Sequence, residues 1–248
     1  MIRVFLVALQ FLTLVPVTLS KRPSRMEMAN SFFCYPLIGL IIGCCLVIIT
    51  LLLSSQSSML VASIALLFWV LITGGLHIDG LADCADAWVG GRGDKNKTLL
   101  IMKDSYCGPA GVTSIVLLLL VKYSSLFVLI ENQSYVMILI IPILSRSVVP
   151  IFFYLTPYIR EDGLGKDLEL YRSSNSVQSV SVFIASVCLI LLIVEMFWLI
   201  LVLFCNFVVL RRLIIYRIDG ITGDVAGAVL EIIELSLLVS MCVFILPV

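Results

Sequence analysis

Six long apolar runs dominate this chain: Phe33–Leu53, Met59–Leu76, Ala110–Ile130, Ser134–Thr156, Val177–Leu210 and Val225–Leu246. About 20 apolar residues in helical form cross a bilayer. Backbone inside lipid must satisfy its own hydrogen bonds, which a helix does. The predicted fold class is therefore all-α, a polytopic integral membrane helix bundle. Val177–Leu210 is too long for one crossing and carries Glu195 in its middle. It reads as a tight pair of short helices turning near Glu195, which brings the expected count to about seven transmembrane helices. The apolar N-terminal segment Ile2–Leu19 contains Pro16. It is either an eighth crossing or a helix lying in the interface, and without a small-residue cleavage site it reads as retained. No internal repeat or low-complexity linker divides residues 1–248, which are expected to form a single integral membrane domain.

Composition closes off the alternatives. With 61% hydrophobic and 13% charged residues, against about 25% charged in ordinary soluble domains, the chain has too little polar surface for a cytosolic enzyme or a disordered segment. The eight cysteines include no C-x-x-C pair, so a zinc or redox site is not expected and they read as small packing residues. The 16 Lys and Arg balance the 16 Asp and Glu, so nothing points to nucleic acid.

The basic residues orient the bundle. Lys21, Arg22 and Arg25, the loop 77–109, the loop 157–176, and Arg211, Arg212 and Arg217 hold most of them, whereas Ser54–Ser58 and Glu131–Gln133 hold none. Cytoplasmic loops are the Lys- and Arg-rich ones, so all four basic connections belong on the cytoplasmic side. This arrangement requires the 177–210 run to cross twice. Most acids share that side, which suits an enzyme facing the cytosol.

The sharpest segment is GGLHIDGLADCADAWVGG, residues 74–91. On a helix, Asp79, Asp83 and Asp86 fall on one face. No Lys or Arg lies between residues 26 and 91 to neutralise them, so a cation is the natural partner. All-oxygen ligands suit Mg²⁺, which in such sites also binds substrate phosphates. The cluster reads as a phosphoryl-transfer site. The bland alternative is an acidic helix start exposed to solvent. His77, the only histidine, is open to three functional roles, as base, phosphate contact or metal ligand, or to none beyond a boundary hydrogen bond. In IMKDSYCGPAG, residues 101–111, Lys103 and Ser105 are candidate phosphate contacts, and Asp104 a further metal ligand or base. Lys122 and Arg146 lie inside apolar runs, where a charge is costly. Arg146 either contacts a substrate phosphate or, like Lys122, forms an ion pair with Glu195, Glu231 or Glu234. Arg160 opens a polar loop that could close over substrate. The segment RIDGITGDVAGAVLEIIE, residues 217–234, is a second acidic, glycine-rich helix start, with Asp224 near the start and Thr222 as the candidate cap; it is expected to bring a second carboxylate set to the first.

Taken together, Phe11-Leu12-Thr13 with Pro16-Val17, Tyr35-Pro36-Leu37-Ile38-Gly39 with Gly43, the block at 74–91, IMKDSYCGPAGV, Arg146, the Arg160–Gly165 loop and GITGDVAGAVLE resemble the cobalamin synthase family almost end to end. The chain departs from it at Leu14 and Tyr106, where a basic residue is usual. The resemblance implies an adenosylcobinamide-GDP ribazoletransferase of cobalamin biosynthesis. Adenosylcobinamide-GDP would be joined to α-ribazole or its 5′-phosphate with release of GMP, using Mg²⁺. It implies Asp79, Asp83 and Asp86 at the metal, and Asp104 or Asp224 as further ligand or base. Lys103, Arg146 and Arg160 would meet phosphates, and His77 would position the nucleophile or leaving group. A bacterial or archaeal inner membrane is the implied location, with a homo-oligomer or other corrinoid-pathway enzymes as possible partners. Two rival readings are another membrane phosphotransferase, of CDP-alcohol or prenyl type, and a secondary transporter; the latter would need an inverted repeat that is not visible.

Overall fold

A computed structural model describes residues 1–19, 21–160 and 196–245. Its helices are α1 (Ile2–Leu12), α2 (Arg25–Ser31), α3 (Tyr35–Leu52), α4 (Ser58–Thr73), α5 (Leu76–Gly91), α6 (Lys95–Ile101), α7 (Pro109–Glu131), α8 (Tyr135–Leu155), α9 (Trp198–Ile218) and α10 (Gly223–Ile245). Among the described residues, five stretches are long and apolar enough to cross a membrane, and the bent pair α4–α5 raises the number to six. The chain is an all-α, multi-pass membrane protein. The sequence led us to expect seven crossings; the segment 177–195, which was to supply one arm of the pair turning near Glu195, lies outside the described residues. The other arm is α9, which runs past Leu210 to Ile218. The 11 residues of α1 span only about 16 Å at 1.5 Å per residue, too little for a crossing. The helix packs instead against α2 and α3.

The expected loop 77–109 is largely helical. After α4 the chain turns by 85° into α5. Gly74 and Gly75 make the turn, both left-handed with φ of 66° and 65°, a conformation that costs glycine nothing and most residues a good deal. Leu14 N–H donates to the Ile72 carbonyl at 2.8 Å, and a Cβ on Gly74 would lie 2.3 Å from the Leu14 side chain, so the N-terminal segment is docked across the bend. We read α4 as the crossing segment and α5 as a helix laid across one end of the bundle. The same end collects the basic side chains. Arg211 donates to the Leu155 carbonyl at 2.9 Å, Lys95 pairs with Asp219 at 2.6 Å, and Arg217 donates to the Trp88 carbonyl.

Helix α8 is the buried centre and packs on α3, α10 and α7. Its contact with α3 is backbone against backbone: a Cβ on Gly39 would lie 2.3 Å from the Pro142 carbonyl oxygen, and one on Gly43 2.4 Å from that of Leu139. Small residues permit such approach where lipid gives no hydrophobic drive for helices to associate. The two cations inside the bundle are neutralised there. Lys122 donates to Glu231 and, at 2.6 Å, to Glu234. Arg146 pairs with Glu234 at 2.6 Å, and Ser145 donates to the same carboxylate at 3.2 Å. Lys122 also sits 4.8 Å from the Trp69 ring centre. Two cations against two carboxylates make this network neutral, the condition under which buried charge is tolerated.

Candidate functional site

The acidic face of α5 is set by its crossing with α10. A Cβ on Gly80 would lie 2.5 Å from the Asp224 carbonyl oxygen, and one on Gly227 3.1 Å from His77 Cα. With no side chains between them, the two backbones touch, and Asp224 at the start of α10 comes beside Asp79 and Asp83, one turn apart on α5. Thr222 caps α10, its Oγ1 accepting from Val225 N–H at 3.2 Å. The Asp83 carboxyl is pushed up to about 6, first by partial burial and then by the negative charges of Asp79, Asp224 and Asp86. The negative charge gathered around Asp83 favours a cation nearby.

Asp86 is committed to the protein itself. One of its oxygens accepts from Gly108 N–H at 2.6 Å and the other from Gly111 N–H at 2.9 Å. These are two of the N-terminal amides of α7, whose own N-cap is a glycine with no side chain to offer. The carboxylate of one helix thus caps another, where the helix dipole also favours negative charge.

The cations reach the cleft from two loops. Pro157–Ile159 is pinned to Ile221 by hydrogen bonds of 2.8 and 3.2 Å, which fixes the next residue, Arg160, against Asp224 at 3.0 Å. Lys103, Arg160, Thr222 and Asp224 line one cavity of about 500 Å³. A second cavity, of about 260 Å³, shares Arg160 and is lined by His77, Tyr35, Phe153 and Tyr158.

The predicted site residues thus separate into groups. Asp79, Asp83, Asp224, Arg160 and Lys103 gather at one end of the bundle, and His77 borders the adjoining cavity. Asp104 and Ser105 are exposed, and Asp104 closes its own turn by accepting from Tyr106 N–H at 3.1 Å. Arg146 is fully buried and paired to Glu234. The second acidic segment divides: Asp224 meets the first carboxylate set, while Glu231 and Glu234 turn inward to Lys122 and Arg146. Sequence reasoning missed the brace formed by Arg217, which donates to the Ala87 and Trp88 carbonyls near the end of α5. It also missed the capping by Asp86. The signal for the latter was Gly108-Pro109, a helix start without a capping side chain of its own.

The donor set fits Mg²⁺. Among the described residues, no three His, Cys, Asp or Glu side chains already converge as a metal cage. Mg²⁺ ordinarily takes one or two carboxylates, keeps several waters and completes its shell with substrate phosphate. Asp79 and Asp83 supply that many hard oxygens, beside cations suited to phosphate.

The family model described as Cobalamin-5-phosphate synthase matches residues 4–242. The chain is 43% identical over 240 residues to an adenosylcobinamide-GDP ribazoletransferase of Acinetobacter baumannii (strain ATCC 17978), a match covering 94% of each chain. It is 40% identical over 238 residues to one of Pseudomonas fluorescens (strain Pf0-1), covering 96% of this chain and 98% of the relative. Against one of Pseudomonas putida (strain W619) the figure is 41% over 237 residues, covering 96% and 97%. No solved structure matches the chain.

Proposed function

The chain belongs to the cobalamin-5-phosphate synthase family, and from that premise we propose that it transfers a phosphocobinamide group from adenosylcobinamide-GDP to α-ribazole or its 5′-phosphate. A ribose hydroxyl of the acceptor attacks the phosphorus that carries the corrinoid arm. A new P–O bond forms, the pyrophosphate P–O bond breaks, and GMP leaves with the bridging oxygen. The observation that carries this reading is the placement of Asp79 and Asp83 on α5 beside Asp224 of α10, with Lys103 and Arg160 lining the same cavity as Asp224. Phosphoryl transfer asks for little beyond positioning and charge stabilisation.

In this reading Lys103 and Arg160 hold phosphate oxygens. Asp224 orients Arg160 through Oδ2 and takes the hydroxyl proton on Oδ1. Asp79 and Asp83 would hold Mg²⁺, and the ion would supply positive charge to offset that of the phosphates. Asp86 contributes indirectly, by fixing α7 against α5. His77 positions the nucleophile from the neighbouring cavity. The site faces the cytoplasm of a cell whose inner membrane the bundle crosses, on the strength of the basic residues gathered at its end.

The test is GMP release by the purified, detergent-solubilised protein given adenosylcobinamide-GDP and α-ribazole. Release should require both substrates and stop on removal of divalent metal with EDTA. Equal turnover in EDTA would overturn the metal assignment, and release of CMP or pyrophosphate from other donors, without GMP, would favour the CDP-alcohol or prenyl alternative.

A further inference from the structure

The aspartates of α5 are only as well placed as α5 itself, and the start of that helix does not fix its direction. A Cβ on Gly75 would meet nothing within 4 Å, so no contact at that residue limits the bend. Between α5 and α9 lies an apolar cavity of about 230 Å³, lined by Leu81, Cys84 and Trp88 of the one and by Leu213 and Ile214 of the other. Arg217 borders this gap and reaches from α9 to the last turn of α5. It is about nine-tenths buried, and its Nη2 donates to the Trp88 carbonyl and, at 3.3 Å, to that of Ala87. Its guanidinium carbon sits 5.1 Å from the centre of the Trp88 ring. A Cβ on Gly91 would lie 3.1 Å from the same Nη2, so the glycine leaves room for it. The cation meets the carbonyl end of α5, where the helix dipole favours positive charge.

Soon after Arg217 the same chain reaches Asp224, and the stretch between them is tied down, with Ile221 N–H donating to the Pro157 carbonyl at 2.8 Å. Arg217 therefore joins α5 to the piece of chain that presents the opposing carboxylate. We propose that Arg217 is a positioning residue for the transfer: by holding the last turn of α5 it sets how far Asp79 and Asp83 stand from Asp224. The proposal rests on the reading that Asp79 and Asp83 hold Mg²⁺ for the phosphates. The lever is long enough to matter. Asp83 comes about 12 Å along the helix from Gly75, at 1.5 Å per residue, so a tilt of about 5° at the bend carries it ~1 Å. A displacement of that size in a catalytic constellation costs on the order of a hundredfold in rate. Arginine suits the task because its flat, permanently charged group lies against an aromatic ring while donating to carbonyls.

The experiment compares Arg217→Met and Arg217→Lys with wild type in the purified full chain, by steady-state GMP release and by calorimetric titration with MgCl₂ in the presence of GMP. Arg217→Met should lower kcat at least tenfold and weaken Mg²⁺ binding about tenfold, a loss of ~1.4 kcal/mol, while KM for α-ribazole moves less than twofold. Arg217→Lys, which keeps the charge without the flat face, should recover part of both. A residue that only stabilises the fold would lower the melting temperature and leave the folded molecules at wild-type turnover and Mg²⁺ affinity; that result overturns the proposal. Should the arginine variants fail to fold, Trp88→Leu takes their place. Its ring is 42% exposed, and its loss removes the surface on which the guanidinium rests while sparing both carbonyls. It should lower kcat and Mg²⁺ affinity about threefold, and two unchanged values would overturn the proposal. Wild-type protein that releases GMP but binds no Mg²⁺ would instead overturn the metal assignment beneath it, and the proposal with it.

Discussion

Asp86→Ala separates an aspartate that holds the fold together from the aspartates proposed to do chemistry. The wild-type carboxylate accepts two amide hydrogen bonds, of 2.6 and 2.9 Å, from the first turn of α7. Hydrogen bonds to a charged group contribute about 1.5–3 kcal/mol each, and the half-exposed position of Asp86 places it at the lower end. Alanine removes both bonds and leaves Gly108 and Gly111 amides without their acceptor, at a cost of about 3 kcal/mol. For a domain of this size that lowers the melting temperature by about 5–10 °C. Asp86→Asn, which keeps one acceptor oxygen but turns an N–H₂ towards the second amide, should fall between alanine and wild type. The assay is thermal unfolding of the purified protein followed by intrinsic fluorescence, with GMP release measured on the same samples well below the melting point. Activity per folded molecule should survive better in Asp86→Ala than in Asp79→Ala or Asp83→Ala. A variant that melts like wild type while losing all turnover would falsify the capping argument and return Asp86 to the metal.

Three further outcomes follow from the same geometry. Asp83→Asn should reduce GMP release by at least a hundredfold while stabilising the metal-free protein at alkaline pH. The folded carboxyl titrates near 6 rather than its ordinary 3.8, so its ionised form opposes folding; that cost is absent below about pH 4 and grows as pH rises through 6. The melting temperatures of variant and wild type in EDTA should therefore coincide at pH 4 and diverge by pH 8, and divergence in the opposite sense would refute the repulsion. Glu234→Leu should be the most damaging substitution in the bundle. It strips Arg146 of its carboxylate and Lys122 of one of two, a loss of about 3–5 kcal/mol for a broken buried pair, read as loss of monodisperse protein on size exclusion. Gly39→Ala should lower the melting temperature clearly, because its Cβ meets the Pro142 backbone, whereas Gly223→Ala, with nothing within 4 Å, should leave stability unchanged.

The membrane-spanning helices were legible because lipid imposes one rule on every residue of a crossing: stay apolar and bond your own backbone. A run of apolar residues therefore carries its own structural meaning. The face shared by Asp79 and Asp83, the capping by Thr222 and the close approach allowed by Gly227 are likewise consequences of local spacing and residue size. The family resemblance rested on those same blocks, and the match over residues 4–242 agrees with it. What local pattern could not supply was direction after the double glycine. Gly74-Gly75 announces a turn, but its angle of 85° is decided by what α5 packs against, namely α10, α7 and α6.

That packing also sorted groups which look alike in one dimension. Asp83 and Asp86 are three residues apart with the same chemistry, yet one meets other carboxylates and the other meets the amides of a helix that begins more than twenty residues later. Glu231 belongs to the same acidic segment as Asp224 but is drawn inward by Lys122, a partner more than a hundred positions away. Sequence alone established which residues are charged, that several segments are long and apolar enough to cross a membrane, and which family they belong to, since these depend on each residue and its near neighbours. Only the tertiary structure decided which opposite charge or free amide each carboxylate meets, because electrostatic partnership depends on distance in space, and the chain brings those partners together only when its helices have crossed.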